Sequence, residues 1–134
     1  MLVVVNNYAT GSHTTHRLQY HLVWIPKYRK RVLIGPLARR LYELFRECAE
    51  VNAWHIAEMN IQPDHVHMLV QLPPKEAVAH AVNIMKGGSS RRLRDEFPEL
   101  EEFLWGDSLW ADGYFAESVG QVTEDRIKAY IRNQ

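Results

Sequence analysis

Eight residues in the middle of the chain, Asp64-His65-Val66-His67-Met68-Leu69-Val70-Gln71, restrict the fold more than any other stretch. Read with a period of two, they put Val66, Met68, Val70 and the following Leu72 on one face, and His65, His67, Leu69 and Gln71 on the other. An unbroken apolar set at alternate positions is the mark of a β-strand with one face in a core. The chain must then build a sheet whose opposite face displays two neighbouring imidazoles, with Asp64 just before them. Such a pair can hold a divalent metal. Histidine nitrogen suits zinc, manganese, iron and copper, and added carboxylate or amide oxygen shifts the choice towards magnesium or manganese. Taken alone, a His-x-His pair reads more simply as two half-exposed strand histidines.

A second element gives the pair meaning. Residues 123–134 read as a short helix, with Thr123 as N-cap and Glu124 and Asp125 suiting the positive N-terminal end. Ile127, Tyr130, Ile131 and Gln134 fall at i, i+3, i+4 and i+7 and share one face. A phenol and an amide thus project together, although the same stripe also serves as an ordinary core face.

Around these two elements the chain alternates strand and helix patterns. Residues 17–25 predict a strand ended by Pro26, which lacks an amide donor. Its His21 either approaches the histidine pair or is a satisfied strand histidine. Gly35 and Pro36 open a helix to about Asn52, with Leu37, Leu41, Leu44, Phe45, Cys48 and Val51 at helical spacing. Residues 54–61 predict a strand, and Pro63-Asp64 a tight turn that makes an antiparallel hairpin with the histidine strand. Residues 75–94 predict a second helix or helix pair, weakened or bent at Gly87-Gly88. Residues 95–102 are acidic, contain Pro98, and read as a surface connection. Residues 114–119 predict the last strand. The order is that of a split β-α-β-β-α-β unit. The expected fold is α+β: an antiparallel, ferredoxin- or RRM-like sheet with two helices on one face and the final helix across the other. Residues 1–16 read as a flexible N-terminal arm and 17–134 as a single catalytic domain.

Two basic stretches are candidates for DNA contact. Lys27, Tyr28, Arg29, Lys30 and Arg31 set four cations around one ring, suited to phosphate contact and base stacking. Lys86, Ser89, Ser90, Arg91, Arg92 and Arg94 combine cations and hydroxyls with two glycines, suited to close approach to a phosphate backbone. The net charge is zero, yet residues 1–94 hold 13 Lys/Arg against 6 Asp/Glu and residues 95–134 hold 3 against 10. Segregation of that kind predicts one basic and one acidic face. No apolar run reaches membrane-spanning length, no secretory signal pattern is present, and Cys48 is the single cysteine. These features fit a reducing cytoplasm.

Together, His65-Val66-His67 on a strand and the distal Tyr130-Ile131-Arg132-Asn133-Gln134 resemble the single-tyrosine HUH transposases of the IS200/IS605 type. Tyr20-His21-Leu22-Val23-Trp24 with Pro26-Lys27-Tyr28-Arg29, and Lys86-Gly87 with Ser89-Ser90-Arg91-Arg92-Leu93-Arg94, match as well. The resemblance implies that Tyr130 is the nucleophile, that His65, His67 and Gln134 hold Mg²⁺ or Mn²⁺, and that Asp64 is an alternative ligand or an acceptor for an imidazole N–H. It also implies a single-stranded DNA substrate with subterminal hairpins, a 5′-phosphotyrosine intermediate, a homodimer in which the tyrosine helix can act in trans, no membrane, and a nucleoid-associated cytoplasmic location. A domesticated repeat-associated relative and a catalytically silent nucleic-acid-binding module of the same fold are the alternatives.

Overall fold

A computed structural model of the chain describes residues 18–133; within the last helix, nothing is described of the side chains at 121–125. The proposed arm at 1–16, the capping side chains Thr123, Glu124 and Asp125, and Gln134 therefore lie outside the described residues.

Four strands form one antiparallel sheet: β1 Leu18–Trp24, β2 His55–Gln62, β3 His65–Leu72 and β4 Phe115–Ser118, in the order β2-β3-β1-β4. Helix α1 (Gly35–Asn52) follows β1, and α2 (Val78–Glu96) follows β3. This is the split arrangement that the element order predicts, and it puts the histidine strand β3 in the centre of the sheet. The apolar side chains that alternate on β3, Val66, Met68, Val70 and Leu72, are all fully buried. They meet Leu37, Leu41, Leu44 and Phe45 of α1 and Ala81, Val82, Met85 and Leu93 of α2 in one core. Both helices consequently cover the same face, and the histidines stand on the other.

β2 reaches the same result with an irregularity. Its register shifts between Ile56 and Glu58, leaving Ala57 as an extra residue. Ile56, Met59 and Ile61 do not share one parity, so a regular strand could not turn all three to the core. The bulge resets the alternation. Glu58, Asn60 and Gln62 then stand opposite Leu69, His67 and His65, on the histidine face.

The glycine pair in α2 does not interrupt it: the helix runs unbroken for 19 residues from Val78 to Glu96. A glycine in a helix interior costs only about 1 kcal/mol relative to alanine, and buried side chains on both sides, from Ala81 to Leu93, outweigh that. The acidic stretch expected to be a surface connection is more ordered than its composition suggests. After a 3₁₀ turn at Pro98–Leu100 it forms α3 (Glu101–Leu104), whose Leu104 is buried. The last helix, α4 (Gln121–Arg132), begins three residues earlier than the Thr123 cap would set it, with Gly120 in the cap position. No helix among the described residues is long and apolar enough to cross a membrane.

Candidate active site

Helix α4 lies on the histidine face through a small apolar cluster: Ile127 and Ile131 of the helix with Ala57 of the bulge, Leu69 of β3 and the partly buried Val119. Two polar ties add to it. Arg132 Nε donates to Glu58 Oε2 at 2.9 Å, and Asn60 Nδ2 donates to the carbonyl of Ile131. Glu58 is almost fully buried, so its charge requires such a partner. These contacts turn Tyr130, one residue before Ile131, towards the histidines. Its ring meets His67 edge-on, with centroids 5.4 Å apart and planes at 77°, while about half of it remains exposed. His65 and His67 meet in the same way, at 4.6 Å and 80°. Two residues 63 positions apart in sequence are thus in contact within one chain.

Each histidine of the pair has a partner at Nδ1. His65 Nδ1 lies 2.8 Å from Asp64 Oδ1. His67 Nδ1 lies 3.3 Å from Nε2 of His21. When Nδ1 carries the proton, the lone pair of the ring is on Nε2, the state a metal ligand needs. Asp64 also takes Arg29 Nε on its other oxygen at 3.0 Å, and Arg31 stands 4.0 Å away. The hydrogen bond from His65, and then the nearby Arg29 charge, hold the Asp64 carboxyl below the usual carboxylate range. Asp64 thus contacts His65 through one oxygen and Arg29 through the other. Burial pushes the His21 imidazole below its ordinary value, with Glu117 pulling the other way.

No three His, Cys, Asp or Glu side chains converge on one point among the described residues. The pair itself supplies two imidazole donors, and their backed Nδ1 atoms make the donor chemistry fit a divalent cation. A third protein ligand would have to join the pair from outside that group, as the Gln134 amide would.

The two basic stretches fare differently. The stretch 27–31 leans over the site entrance through Arg29 and Asp64. Its backbone is pinned by Lys27 N to Leu109 O at 2.7 Å, and Tyr28 and Arg29 adopt positive φ, 59° and 52°. Non-glycine residues take that conformation at a cost of the order of 1 kcal/mol. Here it presents Tyr28 three-quarters exposed, edge-on to Phe103, with Lys30 over the Phe103 ring. A ring framed by cations suits a nucleic-acid strand.

The stretch in α2 lies on the helix-covered side of the sheet and is largely committed inside the fold. Ser89 and Ser90 are buried. Ser89 Oγ donates to Met85 O at 2.6 Å and accepts the Trp110 indole N–H at 2.9 Å, while Ser90 Oγ accepts Leu109 N. They face the protein interior and are not available to a phosphate, because the stripe that buries Met85 and Leu93 carries them inward. Lys86 donates to the carbonyls of Ala111 and Gly113, and burial pushes its ammonium below the usual lysine value. Arg94 is held by Glu101 and partly exposed, whereas Arg92, 3.8 Å from Glu96, and Arg91 are exposed. Ser89→Ala should strand the buried Trp110 N–H and cost about 1–3 kcal/mol of stability, read as a lower Tm, without weakening DNA binding by the folded protein.

Part of the charge segregated along the chain is paired within the fold. Arg40 pairs with Glu96 at 2.8 Å, Arg94 with Glu101 at 3.1 Å and Lys27 with Asp107 at 2.8 Å. The acidic segment folds back onto the basic one.

The helix α4 contact suggests a test of its own. Ile131 is fully buried in a cluster separate from the main core. Ile131→Ala should cost about 2–5 kcal/mol of local packing, raising amide exchange across 121–132 and lowering activity. The sheet and its main core, which do not use Ile131, should stay intact.

Sequence reasoning missed Glu58, Asn60, Arg132 and Glu117. The broken alternation in Ile56-Ala57-Glu58-Met59 was the available signal for the first two; nothing local marks the others.

Comparison with known proteins agrees with the fold. Residues 14–134 match the family model described as "Transposase IS200 like". The ISDra2 transposase TnpA of Deinococcus radiodurans is 38% identical over 124 residues, covering 92% of this chain and 89% of that protein. The transposase for insertion sequence element IS200 of Salmonella typhimurium is 33% identical over 123 residues, covering 92% and 80%. A crystal structure described as a transposase from Deinococcus radiodurans superposes with a TM-score of 0.75 at 34% identity, covering 93% of this chain and 96% of that one. A REP-associated tyrosine transposase bound to a REP hairpin shares the fold, with a TM-score of 0.67 at 10% identity over 91% and 70%. With the matched family model spanning the sheet, the histidine pair and the tyrosine helix, the chain belongs to the family of IS200-like transposases.

Proposed function

We propose that this transposase cleaves and rejoins single-stranded DNA at the ends of its mobile element through a covalent bond between Tyr130 and a 5′-phosphate. The observation that carries the reading is the edge-on contact of Tyr130 with His67 on the sheet face that also displays His65. A phenol ionises near pH 10 in water, so attack at neutral pH needs charge stabilisation at the phosphate. A Mg²⁺ or Mn²⁺ ion held by His65, His67 and Gln134 would supply it by polarising a phosphoryl oxygen.

The remaining roles belong to the chain. Tyr130 Oη bonds to phosphorus as the bond from phosphorus to the 3′-oxygen breaks; the phenol proton is lost and the released 3′-oxygen leaves as a hydroxyl. The product is a 5′-phosphotyrosine ester and a free 3′-OH. A second 3′-OH reverses the step, restores the phenol and joins the strands, with no ATP, because the ester conserves the phosphodiester energy. Asp64 orients His65, and the Arg29, Lys30 and Arg31 side chains neutralise backbone phosphates approaching the site. Subterminal hairpins as the recognition element draw support from the hairpin bound by the REP-associated relative of the same fold. The insertion-element reading is preferred over a repeat-associated one because relatives at 33–38% identity are transposases of insertion sequences. A homodimer rests on the family resemblance, and exchange of α4 between subunits would substitute a partner's tyrosine for the contact formed here within one chain.

The test is incubation with labelled single-stranded element ends and Mg²⁺ or Mn²⁺, followed by a denaturing gel. An SDS-stable protein–DNA adduct formed on single-stranded but not on duplex ends is expected. Binding without any adduct would point instead to a silent nucleic-acid-binding module.

A further inference from the structure

His21 has no part in the scheme above, yet it is buried on β1 beside His67. The two rings lie within 8° of parallel with centroids 5.6 Å apart, while His21 Nε2 and His67 Nδ1 are 3.3 Å apart. The difference between those distances, 2.3 Å, is what two imidazole radii add when both nitrogens lie on the line between ring centres. The rings therefore meet edge to edge and in plane, as an N–H···N bond requires, and not face to face.

Such a bond between neutral imidazoles can run in either direction. If His67 Nδ1–H donates, His21 Nε2 accepts and the single proton of His21 sits on its Nδ1. That atom lies 3.7 Å from Glu117 Oε1, on the adjacent strand β4, and has no closer hydrogen-bond acceptor among the described residues. The reverse direction would turn a His21 lone pair towards the Glu117 carboxylate and put the His67 proton on Nε2. The carboxylate disfavours the reverse direction. A chain from His67 through His21 to Glu117 thus matches, for the second histidine, what Asp64 does directly for the first.

We propose that His21, backed by Glu117, is a positioning residue that holds His67 in the Nδ1-protonated tautomer and so presents its Nε2 lone pair to a divalent cation. The proposal rests on the metal role given to His65 and His67 under the proposed function. Its test uses the full chain without DNA and Mn²⁺ alone as probe, with affinity read by electron paramagnetic resonance and the His67 tautomer by long-range ¹H–¹⁵N ring correlations.

His21→Leu should weaken Mn²⁺ binding about 10–100-fold, the usual effect of removing a partner behind a metal ligand. His21→Gln, which returns an acceptor near the Nε2 position, should bind Mn²⁺ close to the parent affinity. Glu117→Ala, at an exposed edge position that does not threaten folding, should let the Nε2-protonated tautomer of His67 appear. Parent-like Mn²⁺ affinity in His21→Leu, or a His67 proton on Nε2 in the parent protein, would overturn the proposal. His67→Ala separates the two ideas: if it too binds Mn²⁺ like the parent, the metal reading itself fails, and the tautomer measurement still judges His21. Should His21→Leu fail to fold, Glu117→Ala decides, and an unchanged His67 tautomer there counts against the proposal.

Discussion

Tyr130→Phe is expected to lower strand cleavage by at least about 10⁴-fold, on the scale seen when an enzyme loses its nucleophile. The substitution removes only the hydroxyl. The ring that meets His67 edge-on is retained, as is the packing of Ile127 and Ile131 beneath it. Binding of element-end DNA should be unchanged, so gel-shift affinity and cleavage separate cleanly. Cleavage that persists in the variant would assign the nucleophile elsewhere.

Replacement of either histidine is the second large effect. His65→Ala and His67→Ala are each expected to reduce divalent-ion-dependent cleavage by about 10²–10³-fold, the magnitude typical of losing one group that stabilises developing charge. The two should not be equal. His65 touches Asp64 and His67. His67 touches His65, His21 and the Tyr130 ring, and is nearly fully buried. Its loss removes a ligand and also the surface against which the nucleophile rests, so His67→Ala should be the more severe. A Mg²⁺ or Mn²⁺ titration of cleavage checks both: each variant should need more metal, and an unchanged dependence would contradict the ligand assignment.

The parts of this fold that were legible are those where one physical rule acts alone. β3 pairs a fully apolar face with a histidine face, and period-two alternation suffices to orient it. The sheet order follows from the hairpin at Pro63-Asp64 and the two intervening helices. Where rules compete, local reading failed. The glycines of α2 suggested a bend, but the helix is held by long-range packing that a local window cannot see. Ser89 and Ser90 read as phosphate donors by composition; their burial against Trp110 and Leu109 depends on a loop some 20 residues away. The bulge at Ala57 was visible only as a flaw in the alternation, and it is the bulge that brings Glu58 and Asn60 round to hold the tyrosine helix.

The candidate site shows the same division. His65, His67 and Tyr130 were recognisable because their strand and helix each expose a distinctive face. Asp64, beside His65, was legible with them, but the groups around His67 come from other strands. Glu117 belongs to a short edge strand with no distinguishing pattern, and His21 gains a role only through its diagonal position relative to His67. Segregation of charge along the sequence does not show which charges pair, as Arg40 with Glu96 and Arg94 with Glu101 do. The basic loop at 27–31 keeps its candidacy because Arg29 and Arg31 meet Asp64 at the edge of the histidine site.

One covalent bond, between Tyr130 and a 5′-phosphate, decides the mechanism, and tandem mass spectrometry can locate it. The protein is incubated with a single-stranded element end and Mn²⁺, digested with protease and nuclease, and searched for a peptide carrying a nucleotide. The expected product is a 5′-phosphonucleotide ester on Tyr130 within the α4 peptide. An ester on any other residue, or efficient strand cleavage with no protein-linked nucleotide, would contradict it.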